Sequence, residues 1–470
     1  MGGMVRSTVT WLLGPLVAAL LSSIVPSQRQ DTATLLSAWL PKELPGLVAI
    51  YRDLHRSPEL SFNEEATADR FATELEAQGL KVTRRFGGHG VVGVLENGDG
   101  PTLMLRADLD GLPIAEQTGL PYASTVQVAG ASGVEQPVMH ACGHDLHMTN
   151  LIGAVRFLAQ HRDAWSGRLL CIGQPTEERG GGAVLMLRKG LFRKFPRPDF
   201  ALALHVHPML PAGTVGYRAG FAMANVDSVD ITVFGKGGHG AYPHLTVDPI
   251  VQASELVMSL QTVVSREVKP TDAAVITVGS IHGGSKHNII SDHCKLQLTV
   301  RSYSVDVRKA LEMAIRRKAK AVADAHRAPA PKVEFSEGVP ALFNDRRLVE
   351  RVVDAFREEL GDEQVVPVEP VMGAEDFSYF NTGLGKDRGV PVFMFRLGTV
   401  AKARIEGTKA KGEELPGLHS PFYYPDAEPA LRAGIRAMVA FSGEVEFNAA
   451  DPDSTAFMDQ KFTEHNMNPD

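Results

Sequence analysis

Between Met139 and His147 the chain reads Met-His-Ala-Cys-Gly-His-Asp-Leu-His, which sets a thiol, three imidazoles and a carboxylate almost side by side. A helical pattern follows at once, with Leu151, Ala154, Val155 and Leu158 on one face. Imidazole and thiolate suit a borderline divalent metal such as zinc, and carboxylates would complete a hydrolytic centre. The same residues also fit a buried cysteine beside polar groups at a helix start. A metal centre needs further donors from distant segments.

Those segments are strand ends. Val91–Leu95 and Thr102–Leu105 read as strands flanking an Asn97-Gly98-Asp99-Gly100 turn, and the second runs into Asp108-Leu109-Asp110, whose alternate carboxylates face the same way on an extended chain. Leu169–Ile172 leads to Glu177-Glu178, and Phe200–Leu204 leads to His205-Val206-His207. Acidic and imidazole groups thus recur at strand ends, where an open α/β sheet places its ligand crevice.

Helical patterns run from Pro41 to about His55 and from Glu64 to Gln78, the second capped by Asn63 and stopped by Gly79. After Gly216 the order of patterns becomes β-α-β-β-α-β, ending with a strand at Val333–Phe335, which is a ferredoxin-like α+β unit with its own core. The expected architecture is one α/β catalytic domain (41–215 and 333–448) interrupted by a smaller inserted domain (216–332). A linker (28–40) precedes it and a polar tail (449–470) follows.

A charge of −7, with 22% charged residues, gives no reason to expect nucleic acid. The glycine clusters lack the spacing of nucleotide-binding loops. Residues 1–27 carry Arg6, then an uncharged run with an apolar centre at Trp11–Leu21, then Val25-Pro26-Ser27. That is the form of a signal peptide, so export is expected, with no stable membrane association after cleavage. A retained single-pass anchor is the alternative, since a membrane helix needs roughly 20 such residues. The three cysteines, Cys142, Cys171 and Cys294, are too few and too irregular for a disulfide framework.

Taken in order, His55-Arg56-Ser57-Pro58-Glu59-Leu60, Arg106-Ala107-Asp108-Leu109-Asp110, His140-Ala141-Cys142-Gly143-His144-Asp145, Glu177-Glu178, His205-Val206-His207-Pro208, Gly237-Gly238-His239-Gly240, Gly373-Ala374-Glu375-Asp376-Phe377 and Leu418-His419-Ser420-Pro421 resemble a known family. It comprises the two-metal amidohydrolases and metallopeptidases, including aminoacylases and G-type carboxypeptidases, and the chain is nearest the hippurate and auxin-conjugate (IAA-amino acid) hydrolases. The resemblance spans about residues 45 to 445. It implies two divalent ions per chain (manganese, zinc or cobalt), with Cys142, His144, Glu178, His205 and His419 as ligands and Glu177 as general base. It further implies a homodimer through the inserted domain, His239 reaching the partner's site, and Asn288 and Arg301 holding a substrate carboxylate. His147, Asp145, His207, Asp108 and Asp110 are candidates for orienting ligands or for plain structural capping.

The implied activity is hydrolysis of the amide bond of an N-acyl amino acid or similar small conjugate. A dipeptidase or carboxypeptidase needs the same centre with a pocket for a free amino group. A non-catalytic metal-holding protein would show a lost base or ligand, and neither loss is visible. Thr176 before the glutamates and Phe422-Tyr423-Tyr424-Pro425 after His419 depart from the family pattern, so they bear on substrate choice.

Overall fold

In the segment Thr102–Asp108, Leu103, Leu105 and Ala107 enter one hydrophobic core while Met104 enters another. Successive strand side chains face opposite ways, so one apolar strand feeds two cores only if helices cover both faces of its sheet. The computed structural model describes residues 32–129 and 133–447 and has that layered arrangement. The expected leader and tail lie outside the described residues.

The main elements are helix α1 (Thr32–Arg56), helix α2 (Glu65–Ala77), strands β1 (Lys81–Thr83), β2 (Val91–Asn97) and β3 (Thr102–Asp108), helix α3 (His144–Gln160), and strands β4 (Gly167–Gln174), β5 (Phe200–Pro211) and β6 (Val215–Tyr217). The inserted unit follows as β7 (Asn225–Phe234), α4 (Pro249–Arg266), β8 (Ala274–Gly283), β9 (His293–Ser302), α5 (Val305–Ala325) and β10 (Lys332–Val339). The chain then returns with α6 (Arg346–Leu360), β11 (Val365–Pro367), β12 (Val392–Val400) and α7 (Ala427–Phe447).

The eight-stranded sheet runs β1-β2-β4-β3-β5-β12-β6-β11. Its centre, β4-β3-β5-β12, is parallel, while β1, β2 and the β12–β6 contact are antiparallel. β2 and β3 therefore do not form a hairpin across Asn97–Gly100, because β4 lies between them. β5 does not end at Leu204 either. Its pairing with β12 continues through His205 opposite Arg396 and His207 opposite Gly398, so His205 sits inside a strand.

The inserted unit is antiparallel, ordered β8-β9-β7-β10, and packs α4 and α5 on one core that includes Ile231, Leu260, Leu296 and Ile315. Its regular structure spans 225–339 rather than 216–332. Tyr217 belongs to the large sheet through β6, Gly220–Met223 pairs with Leu342–Asn344, and the expected cut at 332 would have removed most of β10.

Two further expectations change. Residues 32–40 are not linker but the first turns of α1, which continues through Pro41 and Pro45. An interior proline costs about 3 kcal/mol, but Leu36, Trp39 and Leu40 extend the apolar stripe of Leu44, Leu47 and Tyr51. Trp39 also donates to Gln160 Oε1 at 2.7 Å and meets the Phe157 ring edge-on. The N-terminus of α2 is held by Glu59 rather than Asn63. The Glu59 carboxylate accepts from the Ala66 and Thr67 amides at 3.2 and 2.7 Å, whereas the Asn63 side chain donates to Ser61 O. Among the described residues, no helix is long and apolar enough to cross a membrane.

Candidate metal centre

Cys142 and His144 stand on either side of Gly143, which begins α3 in the left-handed region at φ 76°. A Cβ there would lie 2.7 Å from Val206 Cγ2, so glycine is what lets the thiol loop press against β5. That contact brings Cys142 Sγ to 3.6 Å from His205 Nε2. Cys142 also precedes a helix N-terminus, where the backbone dipole favours a thiolate.

Both neighbouring imidazoles are oriented alike. His144 Nδ1 lies 2.8 Å from Asp110 O and His205 Nδ1 lies 2.9 Å from Val206 O, which fixes each Nδ1 as the donor and leaves each Nε2 lone pair free. His147 is different. Its Nδ1 sits 2.6 Å from Asp108 Oδ1 and its Nε2 accepts from Val206 N–H at 3.0 Å, so both nitrogens are engaged and it supports the backbone beside His205.

The glutamate pair lies on a single 3-10 turn, Glu177–Arg179, after β4. Asp110 accepts from the Glu177 and Glu178 amides at 3.1 and 3.0 Å and from Ser61 Oγ at 2.6 Å. One aspartate thus ties the glutamate turn to His144. Thr176, just before the pair, has φ 57°, and His419 has φ 63°. Left-handed backbone costs an L-residue roughly 1–2 kcal/mol and gathers at functional sites. His419 N–H donates to Ala141 O at 3.0 Å, joining its loop to that of Cys142.

Cys142, His144 and His205 form one set of converging donors and Cys142, Glu178 and His419 another, with Cys142 common to both. Glu177 and Glu178 also converge on His144, while Glu177 alone joins a separate set with Glu375 and Asp376. Among the described residues, His144 Nε2 and Glu178 Oε1 are buried without a hydrogen-bond partner. Orphaned buried polar atoms are costly, and a bound cation would satisfy both. Thiolate, imidazole and carboxylate together fit a borderline divalent metal.

The electrostatics agree. Burial, with the charges of Glu375, Glu178 and Asp376, pushes Glu177 well above the usual carboxylate range, and burial lifts Glu178 to about 7. Burial also pushes the Cys142 thiol well up, with Glu178 adding to it. A cation reverses this balance, since a coordinating thiol is deprotonated outright. Burial holds His205 well below its ordinary value, and burial with the nearby His144 lowers His419, so both favour the neutral, ligating form.

Behind the glutamates lies an ionic network to which the sequence motifs assign no role. Arg106, 1% exposed, donates to Asp108 at 2.8 Å, Glu375 at 2.8 Å, Asp376 at 3.2 Å and Gln174 at 3.0 Å. An arginine at the end of an apolar strand run is the signal that could have found it, because a buried guanidinium demands carboxylates. Asp145 turns away from the donors toward His55, 2.6 Å away. His207 accepts from Met209 N–H at 3.2 Å and joins no donor set among the described residues.

His239, Asn288 and Arg301 are not gathered into the cluster. His239 is exposed on the inserted unit, with Nδ1 accepting from Ala241 N–H at 3.0 Å. Asn288 O accepts from Gly240 N–H at 2.9 Å beside it. Arg301 Nη1 donates across to Met372 O at 2.8 Å, which links β9 to the loop carrying Glu375.

A sequence profile of peptidase family M20/M25/M40 matches residues 104–441. The chain is 38% identical over 400 residues to N-acetyldiaminopimelate deacetylase of Bacillus subtilis (strain 168), covering 84% of this chain and 97% of the relative. It is 35% identical over 368 residues to IAA-amino acid hydrolase ILR1-like 2 of Arabidopsis thaliana, covering 76% and 80%. Among solved structures it is similar to the Bacillus subtilis YXEP protein, described as a dinuclear metal binding peptidase of the M20 family. The TM-score is 0.71 and the identity 29%, with coverage of 87% of this chain and 99% of that one.

Proposed function

Since the chain belongs to peptidase family M20/M25/M40 and is a metal-dependent hydrolase of amide bonds, we propose that it cleaves N-acyl amino acids or similar small conjugates into a carboxylic acid and an amine. The observation that carries this reading is the divided glutamate pair. Glu178 belongs to the thiol and imidazole set, whereas Glu177, one residue away, also has Glu375 and Asp376 as neighbours. A carboxylate beside the donors but not needed as one of them is what a general base requires.

In this reading Cys142, His144, Glu178, His205 and His419 hold two divalent ions of manganese, cobalt or zinc, which when bound polarise the carbonyl and acidify a water. Glu177 takes a proton from the attacking water at its carboxylate and later gives it to the leaving nitrogen as the carbon–nitrogen bond breaks. Its Oε2 lies 3.8 Å from His144 Nε2, close enough to serve the same small volume. His144 and His205 keep their Nδ1 protons on backbone carbonyls, so each would commit its Nε2 lone pair to a metal and leave that proton to Glu177. The relatives named for an N-acetylated amino acid and an amino-acid conjugate support the substrate class.

We also infer a homodimer through the inserted unit, with His239 stabilising the oxyanion in the partner's site and Asn288 and Arg301 facing the substrate carboxylate. Support comes from exposed Val251 and Met258 on α4, at 52% and 69%, beside β8, a sheet edge with exposed Ile281. Export is inferred from the composition of residues 1–27, and N-terminal sequencing of exported protein should begin near Gln28.

The test is a panel of N-acetyl, N-benzoyl and indole-3-acetyl amino acids beside free dipeptides, with added manganese, cobalt or zinc and with chelator. Turnover of the acylated amino acids, abolished by chelator and restored by metal, is expected. Faster turnover of free dipeptides, or rates indifferent to chelator, would overturn the reading.

A further inference from the structure

The turn that presents Glu177 and Glu178 opens and closes with left-handed residues, Thr176 at φ 57° and Gly180 at φ 63°. Glycine adopts that conformation freely, and Gly180 donates to Glu177 O at 2.7 Å to close the turn. Threonine does not, because its branched Cβ crowds the backbone there. Something outside the turn must therefore hold Thr176.

Glu64 is in place to do so. It is fully buried immediately before α2, and its Oε1 accepts both from the Thr176 amide at 2.7 Å and from Thr176 Oγ1 at 3.0 Å. Thr176 Oγ1 in turn accepts from Phe62 N–H at 3.2 Å. Asp110 takes the next two amides, those of Glu177 and Glu178. Three successive backbone N–H groups, 176 to 178, are thus held by two buried carboxylates. Among the described residues the other oxygen of Glu64 has no hydrogen-bond partner, so Thr176 is the residue its side chain holds across the fold.

We propose that Glu64 is a positioning residue for the reaction: by fixing Thr176 left-handed it aims Glu178 at Cys142 and His419 and keeps Glu177 on the side of Glu375 and Asp376. A rotation at residue 176 would swing both carboxylates together, since they leave the chain one residue apart on the same turn. The inference rests on the proposed roles of the glutamate pair, but its central claim concerns the backbone at 176 and can be read from metal affinity without any substrate.

The experiment compares wild type, Glu64→Ala, Glu64→Gln, Thr176→Gly and the double variant Glu64→Ala/Thr176→Gly. The readouts are zinc affinity by chelator competition, kcat and KM on an N-acetyl amino acid, and thermal melting. Loss of an outer hydrogen-bonding partner typically costs about 10–100-fold in metal affinity or activity. Glu64→Ala is expected to lose that much in zinc affinity and in kcat, with KM changed less than about threefold. Glu64→Gln, which retains a carbonyl acceptor, stays near wild type. Glycine at 176 needs no restraint, so the double variant recovers at least about fivefold over Glu64→Ala. Should Glu64→Ala give no soluble protein, Glu64→Asp, whose shorter carboxylate falls short of residue 176, carries the same expectation.

Zinc affinity within twofold of wild type in Glu64→Ala, or in Glu64→Asp where it stands in, would overturn the proposal. So would a double variant no better than its Glu64 parent. A Glu177→Gln control separates the two readings: if it keeps full turnover, the base assignment fails while the zinc-affinity result still decides the role of Glu64.

Discussion

Glu177 and Glu178 share a turn and an aspartate, yet their carboxylates meet different surroundings, and single-atom changes should separate them. Glu177→Gln is expected to keep its metal and fold but lose about 10²–10⁴-fold in kcat, the usual worth of a general base. Glu178→Gln should lose metal as well, which elemental analysis after dialysis would detect. Equal metal content and near-normal rates in both would refute the division. Arg106 calls for a different measurement. Replacing it with methionine leaves Glu375 and Asp376 buried without their guanidinium partner and Asp108 with its histidine contacts only, and breaking such a buried ion pair costs about 3–5 kcal/mol. A urea midpoint unchanged by Arg106→Met would show that the network contributes little. The thiol, imidazoles and paired glutamates were legible in the sequence because they sit in short clusters. The roles of Glu64, Arg106 and Glu375 were not, because apart from Asp108 beside Arg106 their side-chain partners lie far along the chain and only the fold brings them together.

At the scale of elements, the end of α1 is fastened to the start of α3 through one imidazole. His55 Nδ1 lies 2.6 Å from Asp145 and Nε2 lies 3.1 Å from Glu116. A cation in the last turn of one helix and an anion in the first turn of another suit both helix dipoles. Burial disfavours charge on His55, but the bonds to Asp145 and Glu116 outweigh it and raise its pKa to about 9. A raised pKa in the folded state gives stability that is complete below the unfolded value of 6.5 and is lost as pH rises through about 9. The shift corresponds to about 3 kcal/mol at 1.36 kcal/mol per unit. The stability gap between wild type and His55→Gln should therefore be widest near pH 6 and shrink by pH 10, measured by urea denaturation at both values. A gap independent of pH would mean that His55 is not a charged clamp. The apolar run of β3 and the β-α-β-β-α-β order of the insert could be read locally. The placement of β4 between β2 and β3 could not, since pairing across that distance leaves no local pattern. The same is true of α1 before Pro41, where packing against Phe157 overrides the proline signal.

At the scale of the whole molecule, His239 stands exposed on the inserted unit, apart from the converging donors of the metal centre. A symmetric pair of chains joined through that unit would place each inserted unit against its twin and lend one histidine to each neighbouring site. Mixing His239→Ala with Glu177→Gln under conditions that exchange subunits tests this directly, because each variant alone is expected to be impaired. In a mixed dimer that shares histidines, the site on the Glu177→Gln chain lacks both groups. The site on the His239→Ala chain has its own Glu177 and receives His239 from the other chain. Up to about half of the sites in that heterodimer then regain activity. If His239 serves its own chain, both mixed sites remain defective. Absence of recovery despite exchange shown by differently tagged chains would reject the shared site. A protein that sediments as a monomer at assay concentration and full activity would reject the dimer with it.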